Sequence, residues 1–182
     1  EFTHQYEVGA DINFWSDRVE SQVTYFNSRT DNQTITTALS NSTGFNSLLT
    51  NIGETSSKGV ELTAHVTAVK TQNLTVRVGG NYTYTKNMVN SISDLLPLLS
   101  LQTSGNAVSA AVAGQSFPVI MGLDYQRDPD GRVIINRTTG LPSATTANVI
   151  LGNATPKDRI GTDAMVQYKN IRFSILFEYR GV

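Results

Sequence analysis

Side chains able to donate, accept or coordinate are spread thinly along this chain, and only a few groupings have a spacing that bears on chemistry. His65 is the one histidine inside an alternating run, and Glu61 shares its parity. One imidazole and one carboxylate are too few for zinc, which takes at least three protein ligands, so a hydrogen-bonded histidine on a polar face is expected. Asp128-Pro129-Asp130-Gly131 has the opening of a calcium loop but lacks the bidentate Glu that closes one, so a plain turn is expected. Asp11, Glu20, Glu61 and Asp163 are the carboxylates that a glycosidic acid–base pair would need. Each falls on the polar parity of its run, with Arg77, Arg159 and Arg172 as candidate cross-strand partners, so they read as solvated wall charges. Asn41-Ser42-Thr43 and Asn136-Arg137-Thr138 are glycan-acceptor triplets, which loops so rich in Asn and Thr produce by composition alone. No Gly-rich phosphate loop, Ser-His-Asp order or paired zinc motif occurs. No enzyme activity, cofactor or metal is expected.

The elements that carry these residues are organised around residues 56–89. Val60, Leu62, Ala64, Val66 and Ala68 alternate with Glu61, Thr63, His65, Thr67 and Val69. After a turn at 70–73, Leu74, Val76, Val78, Gly80, Tyr82 and Tyr84 alternate with Thr75, Arg77, Gly79, Asn81, Thr83 and Thr85. A period of two marks strands with one apolar and one polar face. Residues 6–14 and 19–28 form a similar pair around the turn at 16–18, with Ser21 and Phe26 breaking the pattern. Residues 159–180 form a third around Lys169-Asn170, with Met165 and Leu176 as exceptions on the polar side. These strands are long. A strand in a soluble domain averages about five or six residues, whereas one tilted across a bilayer needs about nine to eleven.

Composition agrees. With 39% hydrophobic and 16% charged residues the chain is not of the disordered type. A net charge of −1, with no basic stripe, removes the footprint of a nucleic-acid binder. The absence of cysteine excludes disulfides and thiolate metal sites. No apolar run is long enough for a transmembrane helix, but alternating barrel strands escape that test. The chain starts Glu1-Phe2-Thr3-His4, with neither an initiator Met nor a signal peptide, and reads as a piece of a longer polypeptide.

Short and long connections alternate. Residues 16–18, 70–73 and 169–170 are tight turns; residues 31–55 and 89–157 are long. Outer-membrane barrels place short turns on the periplasmic side and long loops outside. Tyr25, Tyr82 and Tyr84 fall near the long-loop ends and Phe14, Trp15 and Tyr168 near the short turns, as interfacial aromatic girdles require. Within the long connections a short strand is expected near 33–39, at most a helical turn at 95–99, a short helix at 107–113, a strand at 119–125, and a turn at 127–131 returning through 133–136.

Several segments then resemble a known family. Tyr6-Glu7-Val8-Gly9 with Asp11 is similar to a strand opening of TonB-dependent outer-membrane transporters. Asn51-Ile52-Gly53-Glu54 followed by Lys58-Gly59-Val60-Glu61-Leu62 resembles their Asn-x-Gly … Gly-x-Glu segment. Leu151-Gly152-Asn153-Ala154-Thr155-Pro156 ahead of an alternating hairpin is similar to the C-terminal third of the SusC/RagA-like branch. The resemblance covers essentially the whole chain. It implies an all-β fold: about six membrane strands of an antiparallel up-and-down transmembrane β-barrel of 22 strands, with residues 1–182 inside one barrel domain. It implies extracellular loops at 31–55 and 89–157, and residence in the Gram-negative, Bacteroidetes-like outer membrane, in contact with its lipid. The implied function is TonB-energised import of oligosaccharides or peptides with a SusD-like surface lipoprotein, TonB acting through an N-terminal region outside this sequence. The plug, the TonB box and the terminal aromatic of the last strand have no counterpart in these residues.

The long loops are the expected place of recognition, on a scaffold of hairpins. Phe45, Leu95, Phe117, Tyr125 and Arg127 are the candidate substrate- or partner-binding residues. Two alternatives remain: a soluble secreted all-β glycan-binding module, which shorter strands and Greek-key crossings would mark, and a non-transporting porin or adhesin barrel.

Overall fold

The computed structural model describes residues 1–38, 41–51, 53–92 and 98–181. Among the described residues twelve strands follow one another: β1 (Phe2–Phe14), β2 (Val19–Asp31), β3 (Thr34–Ala38), β4 (Ser47–Asn51), β5 (Glu54–Lys70), β6 (Leu74–Ser91), β7 (Leu98–Ser104), β8 (Ala107–Val112), β9 (Val119–Gly122), β10 (Val149–Asn153), β11 (Asp158–Tyr168) and β12 (Ile171–Gly181). A 3-10 turn, Asn41–Thr43, lies between β3 and β4. Contacts divide the chain into two compact units: one of Glu1–Phe2, Asp31–Thr55 and Met88–Thr155, the other of Thr3–Thr30, Ser56–Asn87 and Pro156–Val182.

The second unit is a wall. Its six-stranded sheet has the order β1-β2-β5-β6-β11-β12, up-and-down once the strands inside the long connections are set aside. Register is continuous across its last three strands, from Asp158↔Tyr84 to Tyr168↔Leu74 and from Asp158↔Gly181 to Tyr168↔Ile171. A one-residue slip would reverse every face. The three short turns close as expected. The first places Trp15, Ser16 and Asp17 at positive φ (59°, 54° and 57°), and the last places Lys169 at 49°.

Burial in this wall is the inverse of that in a soluble sheet. Along β5 the apolar set Leu62, Ala64, Val66 and Ala68 is exposed, while Thr63, His65 and Thr67 are half-buried. Val8 is 73% exposed, and Ile171 and Phe177 are 74% and 64% exposed. Each such side chain forgoes about 1.5–3 kcal/mol of burial in water. The inversion is clearest on β5; β1 and β12 are exposed on both faces, and on β6 Leu74 and Val76 are half-buried. An apolar face left this open suits an apolar solvent.

The first unit has the conventional core. Val89, Leu99 and Ala111 are buried together, with Ile92, Leu101 and Phe117 packed against them, and Ala110 and Val119 are also buried. A four-stranded antiparallel sheet, β10-β9-β8-β7, surrounds it, and β3 pairs with β4 from Thr34↔Asn51 to Ala38↔Ser47.

Several loop expectations need correction. The strand near 33–39 exists as β3, but its partner β4 was not foreseen. Residues 107–113 are not a helix: Ala107–Val112 is the strand β8, paired on both sides. Six residues cannot sustain an isolated helix, whereas a central strand buries the small Ala110 and Ala111 against both neighbours. The helical turn at 95–99 falls largely on residues 93–97, outside the described residues, and Leu98 already belongs to β7. The strand at 119–125 ends at Gly122 and pairs with β10.

Candidate functional site

Each unit carries a cluster of polar side chains, and they differ in kind. On the wall, glycines on the polar face make room for large side chains from neighbouring strands. A Cβ at Gly79 would overlap the His65 ring, one at Gly59 the Phe26 ring, and one at Gly161 the Asn81 amide. Phe26, the exception to the alternation of β2, thus lies over Gly59. His65 on β5 passes over Gly79 on β6, and its Nε2 comes within 3.2 Å of Asp163 Oδ1 on β11. Asp163 is the register partner of Gly79, so the imidazole crosses one strand through the only kind of residue that leaves it space. Arg77 on β6 reaches in the other direction, over β5, and donates to Glu20 Oε2 on β2 at 2.7 Å. The two bridges lace β2, β5, β6 and β11 together.

These contacts answer the chemical questions raised by the sequence. His65 is hydrogen-bonded, as expected of a histidine on a polar face. Glu20 and Asp163 are each engaged by a different partner, Arg77 and His65, while Asp11 and Glu20 line one shallow pocket. Among the described residues no group of three His, Asp or Glu side chains converges as a metal site would require. At the long-loop end of the wall Tyr82 Oη donates to Asp158 Oδ1 at 2.7 Å. On the polar face of β12 the Arg180 guanidinium donates to Glu178. This draws it toward Glu178 although Arg159 is its directly opposed neighbour. A shallow pocket of about 380 Å³ lies between Asp11, Glu20, Gln22, Thr63 and His65.

The loop unit holds the residues singled out for recognition. Residues 124–128, 132–136 and 141–145 fold into three short arms. They are tied by a closed ring of backbone bonds: Gln126 N–H to Ser143 O (2.7 Å), Ser143 N–H to Ile134 O (2.9 Å) and Ile134 N–H to Gln126 O (2.8 Å). Asp128 builds the first bend, its Oδ1 accepting from the N–H groups of Asp130 and Arg132 (3.0 and 2.9 Å), with Gly131 at φ 83°. This is the turn expected at 127–131, with the return through 133–136 seen in the bridge Arg127↔Val133. Asn136 builds the second bend by accepting from Thr138 and Thr139 N–H. The arms close on themselves, since Thr145 N–H donates to Asp124 O at 2.8 Å.

Of the five candidate residues, Tyr125 and Arg127 lie together on the first arm. Tyr125 is 53% exposed, and Arg127 Nη1 donates to Gly131 O. Phe45 is exposed beside the 3-10 turn, where its N–H donates to Thr43 Oγ1. Phe117 packs on the Val89–Leu99–Ala111 core and is half-buried, so packing within the unit is its evident role. Leu95 lies outside the described residues. Sequence reasoning did not single out Leu123, Ile134, Ile135 and Leu141, which are exposed on and beside the same arms as Tyr125. A cluster of uncovered apolar residues between turn signals was the available clue.

The family described as TonB dependent receptor-like, beta-barrel matches residues 1–176. The chain belongs to this family. Two TonB-dependent receptors of Formosa agariphila, P26 and P3, are 24% and 21% identical to it, each over 98% of the chain and 20% of the relative's length. Among solved structures, a chain of the RagAB peptide transporter superposes with a TM-score of 0.75 at 17% identity, over 98% of this chain and 21% of the other. The RagAB peptide importer in its closed-closed state gives 0.71 at 14% identity. The chain therefore spans about a fifth of the length of its relatives. Membership makes it a segment of an outer-membrane β-barrel of the TonB-dependent receptor kind. The apolar face of its wall is then the lipid face, and the laced polar face is the inner one.

Proposed function

We propose that this segment forms part of the wall and extracellular loops of a TonB-energised transporter that imports oligosaccharides or peptides together with a SusD-like surface lipoprotein. The observation that carries the reading is the pairing of an inverted wall, apolar outside and laced inside, with a separately packed loop unit. A pore needs only the wall. A core of its own lets the loop unit hold a recognition surface in fixed geometry.

On that surface Tyr125, Leu123, Ile134, Ile135 and Leu141 supply apolar contact, and Arg127 supplies a forked donor for carboxylate or carbonyl groups. An aromatic ring and a guanidinium carried on one arm suit both a sugar ring and a peptide backbone. The name of the RagAB transporter supports the peptide class. Nothing in this chemistry calls for a catalytic step.

The test uses the closed base of the three arms. Since Asp124 and Thr145 are hydrogen-bonded neighbours, residues 125–144 are replaceable by a short Gly-Ser linker without touching a membrane strand or the core. In cells carrying the full-length receptor, the replacement should leave barrel insertion intact and reduce uptake of labelled substrate or co-purification of the lipoprotein. Unchanged uptake together with unchanged co-purification refutes the assignment of recognition to this surface.

A further inference from the structure

The short-turn end of the wall gathers a set of residues that neither the inner lacing nor the loop surface uses. Tyr168 and Ile171 are the last residues of β11 and the first of β12, directly opposed to one another, and Tyr168 is opposed to Leu74 of β6 on its other side. All three share the lipid-facing parity, and Tyr168 and Ile171 are 54% and 74% exposed. Lys169 sits in the turn at φ 49° with its Nζ 5.5 Å from the centre of the Tyr168 ring. This turn is locked to its neighbour, because Lys169 N–H donates to Asn73 O at 2.8 Å. Lys70, at the end of β5, has the parity of Val66 and Ala68 and is exposed on the same face. It stands two strands from Tyr168, about 10 Å away at normal strand spacing.

We infer that Lys70 and Lys169 form a cradle for the phosphate of an anionic glycerophospholipid in the leaflet at the short-turn end, with the acyl chains lying along Leu74, Tyr168 and Ile171. The two ammonium groups project at the height where the apolar face stops, as snorkelling lysines do. At that strand spacing, two flexible side chains can both reach one headgroup. The cation–π contact and the bond to Asn73 fix Lys169 near the lipid face instead of leaving it free to swing under the barrel. On the adjoining turn Asp17 and Arg18 carry opposite charges, so the local balance stays positive. The inference uses the barrel's place in the outer membrane and is independent of what the transporter carries.

Native mass spectrometry of the full-length receptor, released from detergent in the presence of phosphatidylglycerol or of zwitterionic phosphatidylethanolamine, reads the site directly. Wild type should retain phosphatidylglycerol preferentially. The double variant Lys70→Gln/Lys169→Gln should lose about thirtyfold in apparent affinity for it, the scale of two cations removed from an anionic headgroup, while binding of phosphatidylethanolamine stays constant. Heat-modifiable electrophoretic mobility confirms that the variant is folded, and Tyr168→Leu gives a second reading, with a smaller loss through release of Lys169. Equal retention of both lipids by wild type, or an unchanged preference in the double variant, overturns the inference. Displacement of the lipid by millimolar inorganic phosphate also overturns it, by showing a site for the free anion.

Discussion

Substituting Ala for Gly79 tests the lacing of the inner wall at its narrowest point. The new Cβ would occupy the space of the His65 ring, so the imidazole must leave its position over β6 and release Asp163. A hydrogen bond to a charged group contributes about 1.5–3 kcal/mol. The His65 and Asp163 side chains are 26% and 33% exposed, so solvent screening favours the lower end, about 1–2 kcal/mol. Moving the ring off its rotamer adds about 0.5–1.5 kcal/mol. Gly79→Ala should thus cost about 2–3 kcal/mol. In a His65→Ala background the slot is empty, and the same substitution should be neutral or stabilising by about 0.4–1 kcal/mol through the unfolded chain. The coupling in a double-mutant cycle is then about 2–4 kcal/mol. Urea midpoints of the full-length barrel in lipid vesicles, compared at constant slope, give the four corners. An equal cost of Gly79→Ala in both backgrounds would refute the idea that this glycine exists to house the histidine.

Three further outcomes follow from the same geometry. Lysine in place of Val66 or Ile175, on the lipid face, should cost about 2–4 kcal/mol near the bilayer midplane and lower the folded fraction in membranes, whereas Thr63→Lys on the inner face should not. Arg77→Ala should change the unfolding midpoint by no more than about 1 kcal/mol, because Arg77 and Glu20 are 37% and 49% exposed and such pairs are weak; a loss above about 2 kcal/mol would mean that the bridge is desolvated in the complete barrel. Leu99→Ala, in the core of the loop unit, should cost that unit about 2–5 kcal/mol, raising protease sensitivity within residues 88–155 while insertion of the barrel persists.

Strand alternation made the wall legible because a membrane wall obeys one rule per face. Within the wall, alternate residues of β5, β6, β11 and β12 share a face, Met165 and Leu176 excepted, so parity alone sorted Val66 from His65 and Phe177 from Glu178. The exceptions carried information of another kind. Phe26 broke the polar parity of β2 because Gly59 lies beneath it, and that relation spans two strands far apart in sequence. The bridges from His65 to Asp163 and from Arg77 to Glu20 are equally non-local. The residue types were visible, but the strand each side chain crosses was not. In the loops the difficulty was local. Residues 107–113 read as helical from their alanines, although Gly105-Asn106 was already a hairpin signal. Gly105 at φ 56° makes that turn, and Ser104↔Ala107 pair across it. The three arms at 124–145 hold few regular strand pairs, so their turns were predictable from Asp128, Gly131 and Asn136 while their closed ring was not.

The two units solve opposite solvation problems, and this explains where changes can be tolerated. In the wall, cohesion comes from backbone pairing and from polar side chains that seat in glycine slots on one face, while the apolar residues face outward toward lipid. In the loop unit the relation reverses: Val89, Leu99, Ala110, Ala111 and Val119 are withdrawn from solvent, while apolar residues stay exposed on the three arms and also elsewhere, as at Leu49 and Leu151. Val89 belongs to that core although it sits near the end of β6, a strand that starts in the wall. One strand thus serves two solvents, and its parity must satisfy both. Inserting a single residue within Gly79–Asn87 would turn either the lipid face of β6 or the core face at Val89 to the wrong side. The same insertion at the Asp128–Arg132 bend would disturb only a turn. The first should abolish assembly of the barrel, and the second should leave it intact, whatever either does to recognition.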